Sequence, residues 1–184
     1  FAMPLPLVPI QILWVNLVTD GLPALSLSVD PPEDDIMAQP PRKSDAGIFA
    51  EGLGTHILFS GALIGMSAIA AFAIILNLTG DVERARTTAF STMILTELLY
   101  AFESRSERKN VLDIDFFKNP YLVIANLVSL VLTLLVIYIP TLSKIFKTFP
   151  LEANDWMIAI GFSFVEALIS SLTTNPKRQL EIEY

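Results

Sequence analysis

The chain is divided into long apolar runs that are separated by short polar loops. Five of these runs predict membrane-spanning helices, and they lie at residues 9–28, 53–78, 87–102, 121–139 and 156–172. An apolar helix of about 20 residues is long enough to cross the hydrocarbon core of a bilayer. In a soluble domain the apolar residues would instead be spread at helical or alternating spacing. The pattern therefore predicts an all-α membrane protein, a bundle of five transmembrane helices.

The first run differs from the others because polar residues interrupt its middle. Asn16, Thr19 and Asp20 are spaced i, i+3 and i+4, so on a helix their oxygens share one face. A carboxylate near mid-membrane costs at least ~2.5 kcal/mol on insertion scales and is normally kept for a pathway or a partner. Gly21 and Pro23 follow, and Pro23 has no N–H to donate to residue 19. We therefore predict that this helix is interrupted near mid-membrane and presents a polar face there, as in ion carriers.

Composition supports the membrane assignment and excludes several kinds of site. Of the 184 residues, 53% are hydrophobic and only 17% are charged. The chain has no cysteine, which excludes disulfides and thiolate metal sites, and its single histidine argues against a zinc or copper cluster. The net charge of −7 lies almost entirely in the loops, and no basic patch suggests nucleic acid. The expected surroundings are a lipid bilayer, with no nucleic acid partner.

The basic residues of the loops predict an orientation. With alternating sides, the loops at residues 29–52 and 103–120 share a face with the tail at residues 173–184, and this face holds eight of the 12 basic residues. Cytoplasmic loops carry an excess of Lys and Arg, so loop 29–52 and the C-terminus are predicted to be cytoplasmic and the N-terminus outside. An odd helix number and a first residue that is not Met fit a fragment of a longer protein.

Four other polar features lie in or beside the apolar runs, and the residue pattern alone leaves most of their roles open. Glu97 lies in the third run, where it is either an ion ligand or a carboxylate near the interface. Glu166 in the last run is expected to form a hydrogen-bonded contact between helices or to reach toward the interface. His56 is expected at the interface, and the acidic run at residues 30–35 is either a solvated loop or an attractor of cations.

Two segments resemble P-type calcium pumps of the sarco/endoplasmic reticulum kind and their bacterial relatives. Residues 14–24 read W-V-N-L-V-T-D-G-L-P-A, and residues 30–43 read D-P-P-E-D-D-I-M-A-Q-P-P-R-K. They resemble the sixth transmembrane helix of such a pump and the cytoplasmic loop after it. Later segments agree in order, with T-E-L in a short eighth helix followed by E-S-R-S-E-R-K-N. The resemblance covers essentially the whole chain, as the last five helices of the pump.

The resemblance implies roles for particular residues. Asn16, Thr19 and Asp20 match the sixth-helix calcium ligands, and Glu97 matches the carboxylate ligand of the eighth helix. These residues offer only oxygen atoms, which are the ligands that calcium takes. The loop after the sixth helix is implied to contact the phosphorylation domain and to couple ATP use to the helices. Its corresponding residues are Asp35, Met37, Pro40, Pro41 and Arg42.

Several parts of such a pump are not in the sequence. It has no D-K-T-G phosphorylation motif, no nucleotide-binding region and no fourth- or fifth-helix ligand segment. ATP and magnesium are therefore expected in missing domains, and the expected partners are the pump's own N-terminal helices and cytoplasmic domains. The loop at residues 79–86 is short and lacks the cysteine pair of the reticulum pumps, which favours a prokaryotic relative in a bacterial plasma membrane.

The combined prediction is the C-terminal membrane part of an ATP-driven pump that exports calcium from the cytosol. When the ion leaves, Asp20 and Glu97 would face each other at low dielectric, so proton counter-transport is a further hypothesis. Alternatives are a pump for another cation such as manganese, sodium or potassium, a secondary cation/proton exchanger, and a membrane scaffold without transport. The pair of carboxylates favours a divalent ion over sodium.

Overall fold

The computed structural model describes residues 4–32, 53–105 and 116–173, and these ranges contain helices and no strand. The first helix, Pro9–Leu27, consists of three consecutive parts. These parts and the later helices are α1 (Pro9–Trp14), a π-helical segment (Val15–Thr19), α2 (Gly21–Leu27), α3 (Leu53–Thr79), α4 (Val82–Glu103), α5 (Pro120–Tyr138), α6 (Pro140–Phe146) and α7 (Ala153–Thr173). A single 3-10 turn, Phe116–Lys118, precedes α5. The predicted all-α class is confirmed.

Three of the described helices are long and apolar enough to cross a membrane: Pro9–Leu27, Gly54–Thr79 and Pro120–Tyr138. Helices α4 and α7 cover the two remaining predicted runs and pack within the same bundle. The structure is therefore a membrane-type helical bundle, and the number of five spanning helices stays a prediction.

Helix α4 lies at the centre of the bundle. It packs against α3 and α7, and more lightly against α5 and the first helix. One apolar cluster joins Ala85 and Ala89 to α3, and a second joins Phe90 and Ile94 to Val15 of the first helix. Many outward-pointing side chains of the long helices are large and apolar, among them Leu58 (76% exposed), Leu25 (71%) and Leu78 (71%). An apolar exterior is what a lipid environment requires.

The interior of the bundle is unusually rich in hydroxyl groups. Thr88, Thr92 and Thr96 of α4 are buried, and each hydroxyl donates to the carbonyl oxygen four residues earlier. Thr96 Oγ1 also lies 3.2 Å from Ser163 Oγ on α7. Small polar side chains of this kind let membrane helices approach closely and hydrogen-bond across the contact.

Two predicted loops are shorter than expected because helices begin inside them. Asp81 caps α4, its Oδ1 accepting hydrogen bonds from the N–H groups of Glu83 (2.9 Å) and Arg84 (3.1 Å). The helix therefore starts at Val82, not at residue 87, as N-terminal capping by aspartate allows. The predicted loop at 140–155 contains α6, which has proline at its first position, where the missing N–H costs nothing.

An ion-pair network fastens α4 to the start of α7. The Arg84 Nε atom lies 3.0 Å from both carboxylate oxygens of Asp155, and Arg84 Nη2 lies 2.8 Å from Glu152 Oε2. Asp155 also accepts a hydrogen bond of 2.9 Å from the Glu152 N–H. The Asp155 side chain is 0% exposed and that of Glu152 is 65% exposed. The buried member therefore depends on Arg84 far more than the exposed one does.

This difference predicts unequal effects of two conservative substitutions. Asp155→Asn removes a buried charge that is fully hydrogen-bonded, so we expect a loss of about 1–3 kcal/mol of stability. Glu152→Gln alters an exposed ion pair and is expected to cost less than about 1 kcal/mol. Thermal unfolding of the detergent-solubilised full-length protein measures both. Equal shifts of the unfolding midpoint would contradict this account of the network.

Candidate cation-binding site

The first helix widens into a π-helical turn at the polar part of its sequence. The Asp20 N–H donates to the Val15 carbonyl oxygen at 3.0 Å, one residue further back than in an α-helix. Such π segments are rare and occur frequently at functional sites. The predicted interruption is confirmed, but it precedes Gly21. Helix α2 begins at that glycine, and Pro23 lies in its first turn, where proline is tolerated.

Helix α5 supports the π segment from the side. The Ser129 hydroxyl donates to the Val18 carbonyl oxygen at 3.0 Å. This bond holds the first helix against α5 at the π segment.

Thr19 and Glu97 join the first helix to α4. Thr19 Oγ1 lies 3.1 Å from Glu97 Oε2 and 2.8 Å from the Val15 carbonyl oxygen. Thr19 is 2% exposed, and Glu97 is half-buried. The structure therefore brings a hydroxyl and a carboxylate together across 78 positions of sequence.

Asn16 and Asp20 lie on the exposed side of the same segment. Asp20 directly follows the π turn, and its charge acts electrostatically on the Glu97 carboxylate. Among the described residues, no three His, Cys, Asp or Glu side chains converge on one point. An ion here would be held by two carboxylates and by neutral oxygens, a set that suits a hard cation and offers nothing to a soft metal.

A line of buried polar residues on α5 was missed in the sequence. Asn126, Ser129 and Thr133 are all buried and are spaced i, i+3 and i+7, which places them on one helical face. The Asn126 Nδ2 atom donates to the Leu98 carbonyl oxygen at 2.9 Å, and Trp14 Nε1 donates to Thr133 Oγ1 at 3.4 Å. Their spacing in an otherwise apolar run is the signal that could have identified this supporting face.

A polar cluster ties together three helix ends beyond α2. The Arg105 Nε atom lies 3.0 Å from Asp30 Oδ1, and Asn119 Nδ2 donates to the same oxygen at 2.7 Å. Asn119 Nδ2 also donates to the Ser26 carbonyl oxygen at 3.1 Å. Asp30 therefore has a structural role, linking the end of the first helix to the end of α4 and the start of α5. This corrects the expectation that it is a solvated loop residue or an attractor of cations.

The predicted coupling residues lie outside the described residues, as does most of the acidic run. The coupling residues concerned are Asp35, Met37, Pro40, Pro41 and Arg42, and the acidic residues are Glu33, Asp34 and Asp35. The predicted cytoplasmic tail beyond Thr173 also lies outside them. Their roles stay predictions.

Comparison with known proteins identifies the family. A family model described as "Cation transporting ATPase, C-terminus" matches residues 4–174. The chain belongs to this family. It is 46% identical over 179 residues to a calcium-transporting ATPase of Bacillus subtilis, a match that covers 96% of this chain and 20% of that protein. The resemblance that the sequence motifs indicated is confirmed.

Other relatives of this cation-transporting ATPase C-terminal region come from a second bacillus and from a mammal. Calcium-transporting ATPase 1 of Bacillus cereus is 33% identical, over 94% of this chain and 21% of that protein. Calcium-transporting ATPase type 2C member 2 of mouse is 35% identical, over 92% of this chain and 18% of that protein. The chain thus spans about a fifth of the length of these relatives.

Proposed function

We propose that this chain is the C-terminal membrane part of a P-type ATPase that exports calcium from the cytosol. In this proposal Asn16, Thr19, Asp20 and Glu97 contribute ion ligands. The observation that carries it is the 3.1 Å contact of Thr19 Oγ1 with Glu97 Oε2. This contact joins the polar π segment of one membrane helix to a carboxylate on another. The Bacillus subtilis, Bacillus cereus and mouse relatives are each named as calcium-transporting ATPases, which supports calcium as the ion.

The chemistry of these residues favours a divalent ion. Asp20 and Glu97 supply two negative charges, which nearly balance one such ion, and calcium takes 6–8 oxygen ligands. Asn16 and Asp20 are exposed in this chain. We infer that their open side faces further helices of the whole protein, which complete the coordination. Manganese accepts the same oxygen ligands and is the alternative ion.

We propose that the first helix couples the ion site to the domain in which ATP phosphorylates the protein. In this proposal α2 passes a movement of the π segment on to Asp30, which Arg105 and Asn119 hold against the ends of α4 and α5. The loop that follows Asp30 contains the predicted coupling residues. We propose that this loop is cytoplasmic and contacts the domain in which ATP phosphorylates the protein.

Calcium release leaves Asp20 and Glu97 without their counter-ion. Two carboxylates that act on each other at low dielectric are stabilised by proton uptake, so proton counter-transport is part of the proposal. Calcium uptake into sealed, proton-tight vesicles is expected to raise the luminal pH. An unchanged luminal pH would reject counter-transport without affecting the assignment of the calcium site.

Two substitutions of Thr19 test the proposed site in the full-length protein. Thr19→Val keeps the shape of the side chain but removes its hydroxyl from Glu97. We expect the apparent calcium affinity of ATP hydrolysis to fall roughly 10- to 100-fold, as for loss of a hydrogen bond to a charged group. Thr19→Ser keeps the hydroxyl and is expected to stay close to the wild type.

Thr79 offers a matched control at the end of α3. Its hydroxyl donates to the carbonyl oxygen four residues earlier at 2.8 Å, as that of Thr19 does, but it lies on another helix. Thr79→Val is expected to leave the calcium dependence of ATP hydrolysis unchanged. Equal effects of the two valine substitutions would count against a specific role for Thr19.

A further inference from the structure

Glu166 is a buried carboxylate that the proposed calcium site does not use. It lies on α7, is 1% exposed, and neither Oε1 nor Oε2 has a hydrogen-bond partner. The expectations of a hydrogen-bonded contact between helices and of a side chain reaching toward the interface were therefore both wrong. Burying a carboxylate without a partner is strongly unfavourable, so this position calls for a compensating ligand.

Other polar side chains of α3, α4 and α7 form a group with Glu166. Glu103 at the end of α4 acts electrostatically on Glu166, and its Oε2 accepts a hydrogen bond of 2.6 Å from Ser170 Oγ. The Tyr100 hydroxyl approaches Ser60, and the charges of Glu103 and Glu166 act on it electrostatically, so Tyr100 belongs to the same neighbourhood. We call Ser60, Glu103, Glu166 and Ser170 the α7 cluster.

Unsatisfied polar atoms are concentrated in the α7 cluster. In the part of the chain that the structure describes, six buried side-chain atoms have no hydrogen-bond partner. Three of them are carboxylate oxygens of the cluster, Glu103 Oε1 and both Oε1 and Oε2 of Glu166, and a fourth is Ser60 Oγ, which Tyr100 approaches without a hydrogen bond of ordinary geometry. Buried polar groups in membrane helices are normally satisfied, so a group of open oxygens from three helices indicates a ligand that binds among them.

Among the residues that the structure describes, no ion pair balances the charge of the α7 cluster. The ion pairs within the described ranges join Arg84 to Glu152 and Asp155, and Arg105 to Asp30. Two buried carboxylates that act electrostatically on each other are stabilised when a cation binds between them.

The α7 cluster is separate from the site at Asp20. Glu103 follows Glu97 by six residues on α4, which corresponds to about 9 Å along the axis and roughly 120° around it. Glu97 meets the first helix through Thr19, whereas Glu103 meets α7 through Ser170. An ion in the cluster would therefore not share a ligand with an ion at Thr19 and Glu97.

We propose that the α7 cluster is a second cation site, which takes a divalent, oxygen-preferring ion between α3, α4 and α7. The carboxylates of Glu103 and Glu166 balance the charge of one such ion. The hydroxyls of Ser60 and Ser170 add neutral oxygens, and the remaining positions are open to water. Such an ion links α3, α4 and α7.

Terbium is the probe for this site because it binds where calcium binds and emits when a nearby aromatic ring is excited. The full-length protein with Asp20→Asn and Glu97→Gln is used, so that the proposed transport site no longer contributes. We expect terbium emission through tyrosine excitation that calcium displaces. Adding Glu166→Gln is expected to weaken terbium binding more than tenfold. Adding Tyr100→Phe instead is expected to remove the terbium emission while calcium still binds.

Further variants keep the test decisive. Glu103→Gln is expected to weaken terbium binding as Glu166→Gln does, and either neutral amide removes a charge without changing the volume of the side chain. Glu83→Gln, an exposed carboxylate at the other end of α4, is expected to leave terbium binding unchanged.

Two results would overturn the proposal. One is terbium binding that Glu166→Gln and Glu103→Gln leave unchanged. The other is the absence of calcium-displaceable terbium binding together with an infrared band of a protonated carboxyl group that Glu166→Gln removes. That combination would show that the cluster holds a proton and no metal ion. Because Asp20→Asn and Glu97→Gln are already present, either result leaves the proposed transport function untouched.

Discussion

Replacing Asp20 by asparagine in the full-length protein is expected to abolish calcium-dependent ATP hydrolysis. Asp20 follows the π segment and supplies one of two carboxylates at the proposed site. Its loss leaves Glu97 as the only charged ligand of this chain at the ion. Asp20 is exposed in this chain, but the proposal places it beside the ion and against further helices of the whole protein. Removing one charge from a buried pair of opposite charges costs about 3–5 kcal/mol, so we expect calcium affinity to fall more than about a hundredfold. The measurement is ATP hydrolysis as a function of free calcium.

The matched control for this experiment is Asp81→Asn. Asp81 caps α4, and asparagine serves equally well as an N-terminal cap, so the helix start is preserved. This variant is expected to keep the calcium dependence of the wild type. If Asp20→Asn also kept it, the proposed role of Asp20 as a ligand would be wrong.

Replacing Glu97 by glutamine is expected to have the second-largest effect. Glutamine still offers an oxygen to the Thr19 hydroxyl, so the packing of the first helix on α4 is retained while the charge is lost. Calcium affinity is expected to fall roughly 10- to 100-fold, because an uncharged oxygen replaces a carboxylate opposite the ion. Calcium-dependent ATP hydrolysis measures the change.

Glu97→Asp complements the glutamine variant because it keeps the charge but shortens the side chain. It is expected to lose affinity as well, since the carboxylate then ends short of Thr19. Wild-type calcium dependence in both variants would show that Glu97 only positions the helices. Glu83→Gln, on an exposed turn of the same helix, is the neutral control.

The helices were predictable because a lipid environment makes their sequence pattern simple. Apolar runs of about 20 residues have few other stable arrangements in a membrane, where backbone groups must be paired within the segment. The runs at 53–78 and 121–139 correspond closely to α3 (Leu53–Thr79) and α5 (Pro120–Tyr138). Helix starts were less predictable, because α4 begins at a capping aspartate within a polar stretch.

The π segment could not be predicted from the apolar pattern. The same side chains fit α-helical and π-helical turns, and the difference of one residue in hydrogen bonding leaves no trace in composition. Pro23 indicated an interruption, but the π segment lies before it, and its Val18 carbonyl accepts from Ser129, which is 111 positions away in sequence. Such a tertiary contact leaves no local signal in the sequence.

The candidate site was only partly predictable for the same reason. Sequence spacing groups Asn16, Thr19 and Asp20 on one helix, and a family resemblance adds Glu97. Only the structure shows that Thr19 is the residue in contact with Glu97, and that Asn16 and Asp20 are exposed in this chain. For Glu166 the sequence contains no indication of a site, because a single carboxylate in an apolar run does not reveal the other unpartnered oxygens near it in the fold.

The central claim is that one calcium ion is held jointly by Asp20 and Glu97, and equilibrium calcium binding to the full-length protein tests it directly. Affinities of the wild type, Asp20→Asn, Glu97→Gln and the double variant form a double-mutant cycle. Joint ligation predicts that the double variant binds hardly more weakly than Asp20→Asn alone, because the first substitution already disrupts the shared ion. Losses that simply add would show that the two carboxylates act independently, and would contradict the claim.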